Sequence, residues 1–162
     1  MVEIRKATAL DLEYLWNRNI AENPGEECWI RWKKQFIDDN LSGAAATFAL
    51  VVDDIPVGEA TLLFSPDCRA IRGRLDLANG QTVTNINALR IIPEYQGKGY
   101  ASALIREMET YASNAGYQRI TIGVEAVETG NLAMYLHWGY NRFVMSEGEG
   151  MDLVLYFGKD LY

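Results

Sequence analysis

Gln96-Gly97-Lys98-Gly99-Tyr100-Ala101 places two glycines and a lysine where an apolar run turns into an amphipathic one. Upstream, Val83, Ile86, Leu89, Ile91 and Ile92 make a β-rich segment, and Pro93, with no N–H for a sheet ladder, marks its end. Downstream, Ala101, Leu104, Ile105, Met108, Tyr111 and Ala112 recur at the spacing of one helix face. The turn therefore opens a helix. There the first N–H groups have no intrahelical partner and the helix dipole is positive, so a phosphate is a natural ligand. Gly97 and Gly99 keep side chains out of its way, and Lys98 adds charge at the edge.

Two familiar phosphate loops fit poorly. A Walker loop needs a glycine where Ile92 stands and a Ser or Thr where Gly99 stands. The dinucleotide fingerprint fails only at Ser102, and Glu125 follows a second strand at roughly the spacing of the ribose-binding acid, about 20 residues, but the repeated βαβ units are absent. A strand-turn-helix without any ligand is the plain alternative.

The elements that must position this loop can be read along the chain. Val2 to Ala7 is a strand, and Thr8 with Asp11 resembles a capping box that opens a helix through Leu12, Leu15, Trp16 and Ile20. Asn23-Pro24-Gly25 ends it. A second helix, about Glu26 to Asn40, puts Trp29, Trp32, Lys33 and Phe36 near one face, which reads as core. Thr47 to Val52 and Val57 to Phe64 read as a hairpin turning at Asp53-Asp54-Ile55-Pro56, and Ser65 to Gln81 as a polar excursion. After the glycine loop and its helix come a strand at Arg119 to Val124, a helix near Thr129 to Trp138, and strands at Asn141 to Met145 and Met151 to Phe157. Hairpins with one βαβ crossover predict a mixed α/β fold with a largely antiparallel sheet.

With 162 residues and 49% hydrophobic content, residues 1–162 suit a single domain. The first residues form no apolar signal core and no stretch approaches a membrane span, so the expectation is a cytoplasmic protein with no membrane partner. Cys28 and Cys68 lack a CxxC or His-ligand pattern, which argues against zinc or a disulfide framework. Net charge is −7, which argues against nucleic acid. Residues 66 to 119 carry 7 basic and 5 acidic side chains, the only segment with a positive balance, against 6 and 11 in residues 1 to 65.

Gln96-x-x-Gly99-x-Ala101 resembles the (Arg/Gln)-x-x-Gly-x-(Gly/Ala) pyrophosphate loop of the GNAT superfamily of acyl-CoA N-acyltransferases. Ile91-x-Pro93-Glu94-Tyr95 fills the frame of the Val-x-Pro-Glu-Tyr that precedes that loop, and Met134-Tyr135-Leu136-His137-Trp138-Gly139-Tyr140 is similar to the family's Leu-Tyr-x-x-x-Gly-Phe. The resemblance covers almost the whole chain. It implies the GNAT fold: a central, mostly antiparallel twisted sheet of about seven strands, flanked by about four helices, with a splayed central strand pair. It also implies acetyl-CoA as cosubstrate with no metal, the pyrophosphate on the backbone from Gln96 and Gly97 through Lys98, Gly99, Tyr100 and Ala101, and the pantetheine paired with the main chain of Leu89 and Ile91. The family asparagine that contacts pantetheine falls at Glu128 here, and Asn131 is the nearest asparagine.

Amine acetylation needs a base and an acid: an alkyl ammonium near pKa 10.4 must lose a proton, and a thiolate leaving group gains from receiving one. The resemblance gives the acid to Tyr135. Glu59, on its strand, and Glu125, at the end of another, are the candidate bases, as unpaired carboxylates facing a cleft. His137 lies about 200° around the helix from Tyr135 and reads as an exposed structural residue. Arg69, Arg72 and Arg74 read as a solvated loop, with phosphate contact the alternative. The acceptor is expected to be a primary amine, cationic, whether small molecule, antibiotic or peptide, drawn in by Glu22, Glu26 and Glu27. A non-catalytic acyl-CoA sensor is the alternative. Monomer and homodimer are both open.

Overall fold

The computed structural model describes residues 1–162. The chain runs β1 (Val2–Lys6), α1 (Ala9–Glu22), α2 (Cys28–Ser42), β2 (Ala45–Val52), β3 (Ile55–Leu63), β4 (Val83–Ile91), α3 (Tyr100–Asn114), β5 (Arg119–Glu125), α4 (Thr129–His137), β6 (Arg142–Glu147) and β7 (Val154–Asp160). The strands form a seven-stranded sheet in the order β1-β2-β3-β4-β5-β7-β6. It is mostly antiparallel, with β4 and β5 as its parallel pair. That ladder pairs Val83–Ile86 with Arg119–Ile122, and both strands run on beyond it. Ala88 follows almost at once with φ 59°, a left-handed value that interrupts the extended run of β4. The expected mixed, largely antiparallel fold is what forms.

By packing, the chain divides into two compact units, Met1–Leu62 with Ala88–Met108, and Leu63–Asn87 with Glu109–Tyr162. In the first, the Thr8 hydroxyl accepts the Asp11 N–H at 3.1 Å while Asp11 accepts the Thr8 N–H at 2.9 Å, so two orphan donors at the start of α1 are satisfied reciprocally. Burial would raise the Asp11 carboxyl, but bonds from Arg5 and Thr8 hold it below the usual range. Leu12, Leu15 and Trp16 of α1 are buried, and the Trp16 ring lies 5.0 Å from Phe36 and 6.3 Å from Trp29. No residue of α2 is fully buried. Its aromatics therefore line the core with one face still half-open, rather than sitting inside it as the sequence predicts. Every residue of β2 is buried, and its one hydroxyl, that of Thr47, meets the Thr61 hydroxyl of β3 at 2.8 Å. The hairpin turn is shorter than the sequence suggests. Asp53 and Asp54, at φ 49° and 67°, make it alone, and Ile55 and Pro56 already belong to β3.

In the second unit, the segment between β3 and β4 departs from the expected polar excursion. Cys68, Ile71, Leu77 and Ala78 are buried, and the Asn79 carboxamide oxygen accepts the N–H groups of Gln81, Thr82 and Val83. Ile120, Ile122 and Val124 of β5 are buried, and the Phe64 ring stacks on Tyr117 at 5.1 Å. Tyr140 is fully buried and donates to Glu109 at 2.9 Å, while Lys159 reaches the same carboxylate at 2.9 Å. No helix is long and apolar enough to cross a membrane.

Candidate active site

The glycine turn is built from the strand outward. Ile91, Ile92, Tyr95 and Tyr100 pack against the buried cluster of Leu50, Val52 and Val57, so both ends of the turn are fixed to the core of the first unit. Between them Gly97 and Gly99 hold φ 72° and 82°, with open space where a side chain would begin. Glycine is needed here for its conformation, since an L residue in that region is strained. The Ala103 N–H reaches the Gly99 carbonyl at 3.1 Å, which makes Gly99 the cap of α3 and leaves the Tyr100 and Ala101 N–H groups without an intrahelical acceptor. Lys98 is exposed, its ammonium 5.8 Å from the Tyr95 ring centroid. Gln96 folds back, its side-chain amide donating to the Ile91 carbonyl at 2.6 Å. It braces the loop, and it occupies one lone pair of a carbonyl assigned by the sequence to the pantetheine. The Ile92 N–H bonds the Val57 carbonyl at 3.0 Å on β3, so the main-chain groups of Ile91 point to the other edge of β4.

Glu59 is not the unpaired carboxylate the sequence suggests. It is only 2% exposed, and both oxygens are engaged: Arg90 Nη1 donates to Oε1 at 3.1 Å and Asn19 Nδ2 to Oε2 at 3.2 Å. Burial pushes its carboxyl above the usual range even though Arg90, Asn19 and Arg18 pull it down. Burial also lowers the Arg90 guanidinium, against the pull of Glu59. Arg90 sits beside two indoles, 5.3 Å from the Trp16 ring centroid and 4.9 Å from that of Trp29. Arg18, Asn19 and Arg90 escaped the sequence reading. The signal was present in Leu89-Arg90-Ile91, a lone arginine inside an apolar strand.

In the second unit, Tyr135 is 8% exposed on α4, its ring stacked on Trp138 at 5.8 Å. Its hydroxyl makes no protein hydrogen bond and is not sealed from solvent. Burial, and then the Glu128 carboxylate, raise its pKa, so it keeps its proton well past neutrality. Glu125 is exposed at the end of β5. Glu128 is the N-cap of α4 and accepts the Asn131 amide at 2.9 Å. The two candidates for the family asparagine thus form one exposed polar pair. His137 is exposed at the end of α4, as expected. Arg72 and Arg74 are both tied to Glu147, at 2.9 Å and 2.6 Å, Arg72 with an exposed side chain and Arg74 with a largely covered one. Arg74 also lies 5.2 Å from the Tyr156 ring centroid. No group of His, Cys, Asp and Glu is arranged to hold a metal ion.

The family model described as Acetyltransferase (GNAT) family matches residues 7–140, and the chain belongs to that family. Among solved structures it is similar to an N-acetyltransferase from Staphylococcus aureus Mu50, with TM-score 0.74, 14% identity and coverage of 100% of this chain and 99% of that one. PaiA N-acetyltransferase from Thermoplasma acidophilum, solved with coenzyme A, gives 0.65 at 19% identity, covering 99% of both chains. Arabidopsis thaliana NAA60, solved with acetyl-CoA, gives 0.69 at 18% identity, covering 99% of this chain and 98% of that one. These likenesses establish the fold. No curated protein sequence gives a match.

Proposed function

We propose that residues 1–162 are one catalytic domain, a cytoplasmic N-acetyltransferase that moves the acetyl group of acetyl-CoA directly to a primary amine. The observation that carries this reading is the glycine turn. In a chain of the GNAT family, two left-handed glycines open α3 with unpaired N–H groups directed at a bare, positive helix end. The backbone from Gly97 to Ala101 takes the pyrophosphate, Lys98 adds a screened charge, and Gln96 braces the turn. The main chain of Leu89 and Ile91 takes the pantetheine amides as an added strand, with Glu128 and Asn131 as the further polar contact to that arm.

In the reaction the neutral amine forms the new C–N bond as the C–S bond breaks. The amine is a cation before it reacts, and its proton passes through solvent to Glu125, a carboxylate whose position is exposed. Glu59 is buried with both oxygens already accepting a hydrogen bond and is assigned to hold Arg90 instead. The sulfur receives its proton from Tyr135, whose raised pKa keeps the phenol charged with a proton at neutral pH. Acetyl-CoA and NAD, each added separately at about 100 times its Kd, test the cofactor: a true ligand stabilises the fold by about 2.7 kcal/mol. Acetyl-CoA should raise the melting temperature and NAD should not. Thiol release across a panel of amines then tests the chemistry, and acetyl-CoA binding with no transfer to any amine would leave a sensor.

A further inference from the structure

Arg90 is a guanidinium held in place and used at one corner only. Nη1 meets Glu59 at 3.1 Å, Asn19 secures the other Glu59 oxygen, and Trp16 and Trp29 lie against the group. Nε and Nη2 make no protein hydrogen bond and are not sealed from solvent, the side chain being 32% exposed. Those two nitrogens form one edge of the guanidinium, two parallel donors spaced to match the two oxygens of a carboxylate. A second arginine lies close by along β3: Arg18 donates to the Pro56 carbonyl at 2.5 Å, three residues before Glu59. Arg18 adds to the downward pull of Arg90 on the buried Glu59 carboxylate.

We propose that the free edge of Arg90 binds a carboxylate, and that the acceptor amine is therefore an amino-acid-like molecule carrying a carboxylate of its own. This rests on the acetyltransferase reading and names its substrate class. Glu59 and Asn19 are positioning residues, which fix the plane and the free edge of Arg90. Two oxygens of a phosphate would meet the same pair of donors, so a phosphate-bearing amine is the competing ligand that the test separates. A carboxylate-binding role explains why an arginine stands in an apolar strand between Leu89 and Ile91, the two residues assigned to the pantetheine.

The test uses the whole chain with saturating coenzyme A. Glycine, β-alanine, 4-aminobutyrate and glycylglycine are titrated beside their carboxamides, and O-phosphoethanolamine serves as the phosphate arm. Binding is read from tryptophan fluorescence, to which Trp16 and Trp29 report directly, and acetyl transfer is read in parallel with acetyl-CoA. At least one acid should bind at least about 10-fold more tightly than its amide, the scale of a charge-assisted pair. The arms with glycine and glycylglycine separate free amino acids from peptides. Arg90→Lys keeps a cation beside Glu59 but removes the paired donors, and it should bring the acid-to-amide ratio close to one while the thermal shift with acetyl-CoA persists. A wild-type ratio near one for every pair overturns the proposal, as does a ratio that Arg90→Lys preserves or a preference for the phosphate arm. If Arg90→Lys does not fold, the wild-type ratio decides, and Glu59→Gln, which loosens the guanidinium, should reduce it. Carboxylate binding without transfer sinks the acetyltransferase reading alone, and transfer without carboxylate preference sinks this inference alone.

Discussion

Single replacements of Tyr135 and Gly99 should separate chemistry from binding in the proposed reaction. Tyr135→Phe keeps the ring stacked on Trp138 and deletes a hydroxyl that has no protein partner, so stability should barely move. Acetyl-CoA should still bind, and kcat should fall about 10²- to 10⁴-fold, with kcat/KM falling in step. Wild-type turnover in that variant would return Tyr135 to a packing role. Gly99→Val acts on the opposite step. Its φ of 82° strains any β-branched residue by about 1–2 kcal/mol, and the backbone relaxes away from the geometry that aims the N–H groups. Losing two charge-assisted bonds should weaken acetyl-CoA about 100-fold by calorimetric titration, with the fold retained. Lys98→Ala should cost less than about 10-fold, and the loss should fade in high salt. If the lysine proved the larger loss, side-chain charge and not the backbone would be holding the phosphate.

Among the elements, β4 does most to set the geometry of the first unit's site, because it carries Arg90, Ile91 and the approach to the glycine turn. Gly58 on β3 lies directly against it: a Cβ added there would stand 3.0 Å from Ile91 Cγ1, 3.2 Å from the Arg90 carbonyl and 3.3 Å from Leu50 Cβ. Gly58→Ala must therefore push on β4. Overpacking of this kind costs about 1–3 kcal/mol, which denaturant unfolding would measure, and the displaced strand should also lower affinity for acetyl-CoA at temperatures where the variant is folded. A variant with native stability and native affinity would mean that β4 tolerates the push, and that its position does not govern the site.

For the whole molecule, the ion pairs make a prediction about acid. Burial would raise Glu147, but Arg74, Tyr156 and Arg72 hold its carboxyl below its ordinary value of 4.5. Asp160, held mainly by Arg119, lies below 3.8, as does Asp11 despite its burial. A carboxyl depressed by folding adds stability that is present above its unfolded pKa and lost as pH falls through the folded one. Stability should therefore drop on acidification below about pH 4.5, the ordinary value of the Glu147 carboxyl. Glu147→Gln should be less stable at pH 7 and show a shallower acid limb, measured by urea unfolding across pH. An acid limb as steep as that of the wild type would remove Glu147 from the list of causes. Glu59 works in the opposite direction: its raised folded pKa gives stability that is full below about 4.5 and is lost as pH rises from there through the raised folded value.

How much was legible in advance follows from how far apart the interacting residues lie. The capping box at Thr8 and Asp11, the glycine turn into α3 and the tyrosine-to-glycine spacing of α4 were readable because each depends on backbone donors and side chains within a few residues. The succession of strands and helices along the chain followed from the same local signals. What sequence patterns could not determine was pairing at a distance. Glu59 meets Asn19 across 40 positions and Arg90 across 31, and Arg74 meets Glu147 across 73. Whether a carboxylate is open or spoken for depends on which strands and helices bring a guanidinium to it. That is set by sheet order, register and burial, none of which leaves a periodic trace around the residue itself. The sequence by itself therefore determined the glycine turn into α3 and the family, while only the tertiary structure decided that Glu59 is a paired anchor, that Arg72 and Arg74 are ties, and that one edge of Arg90 has no protein partner.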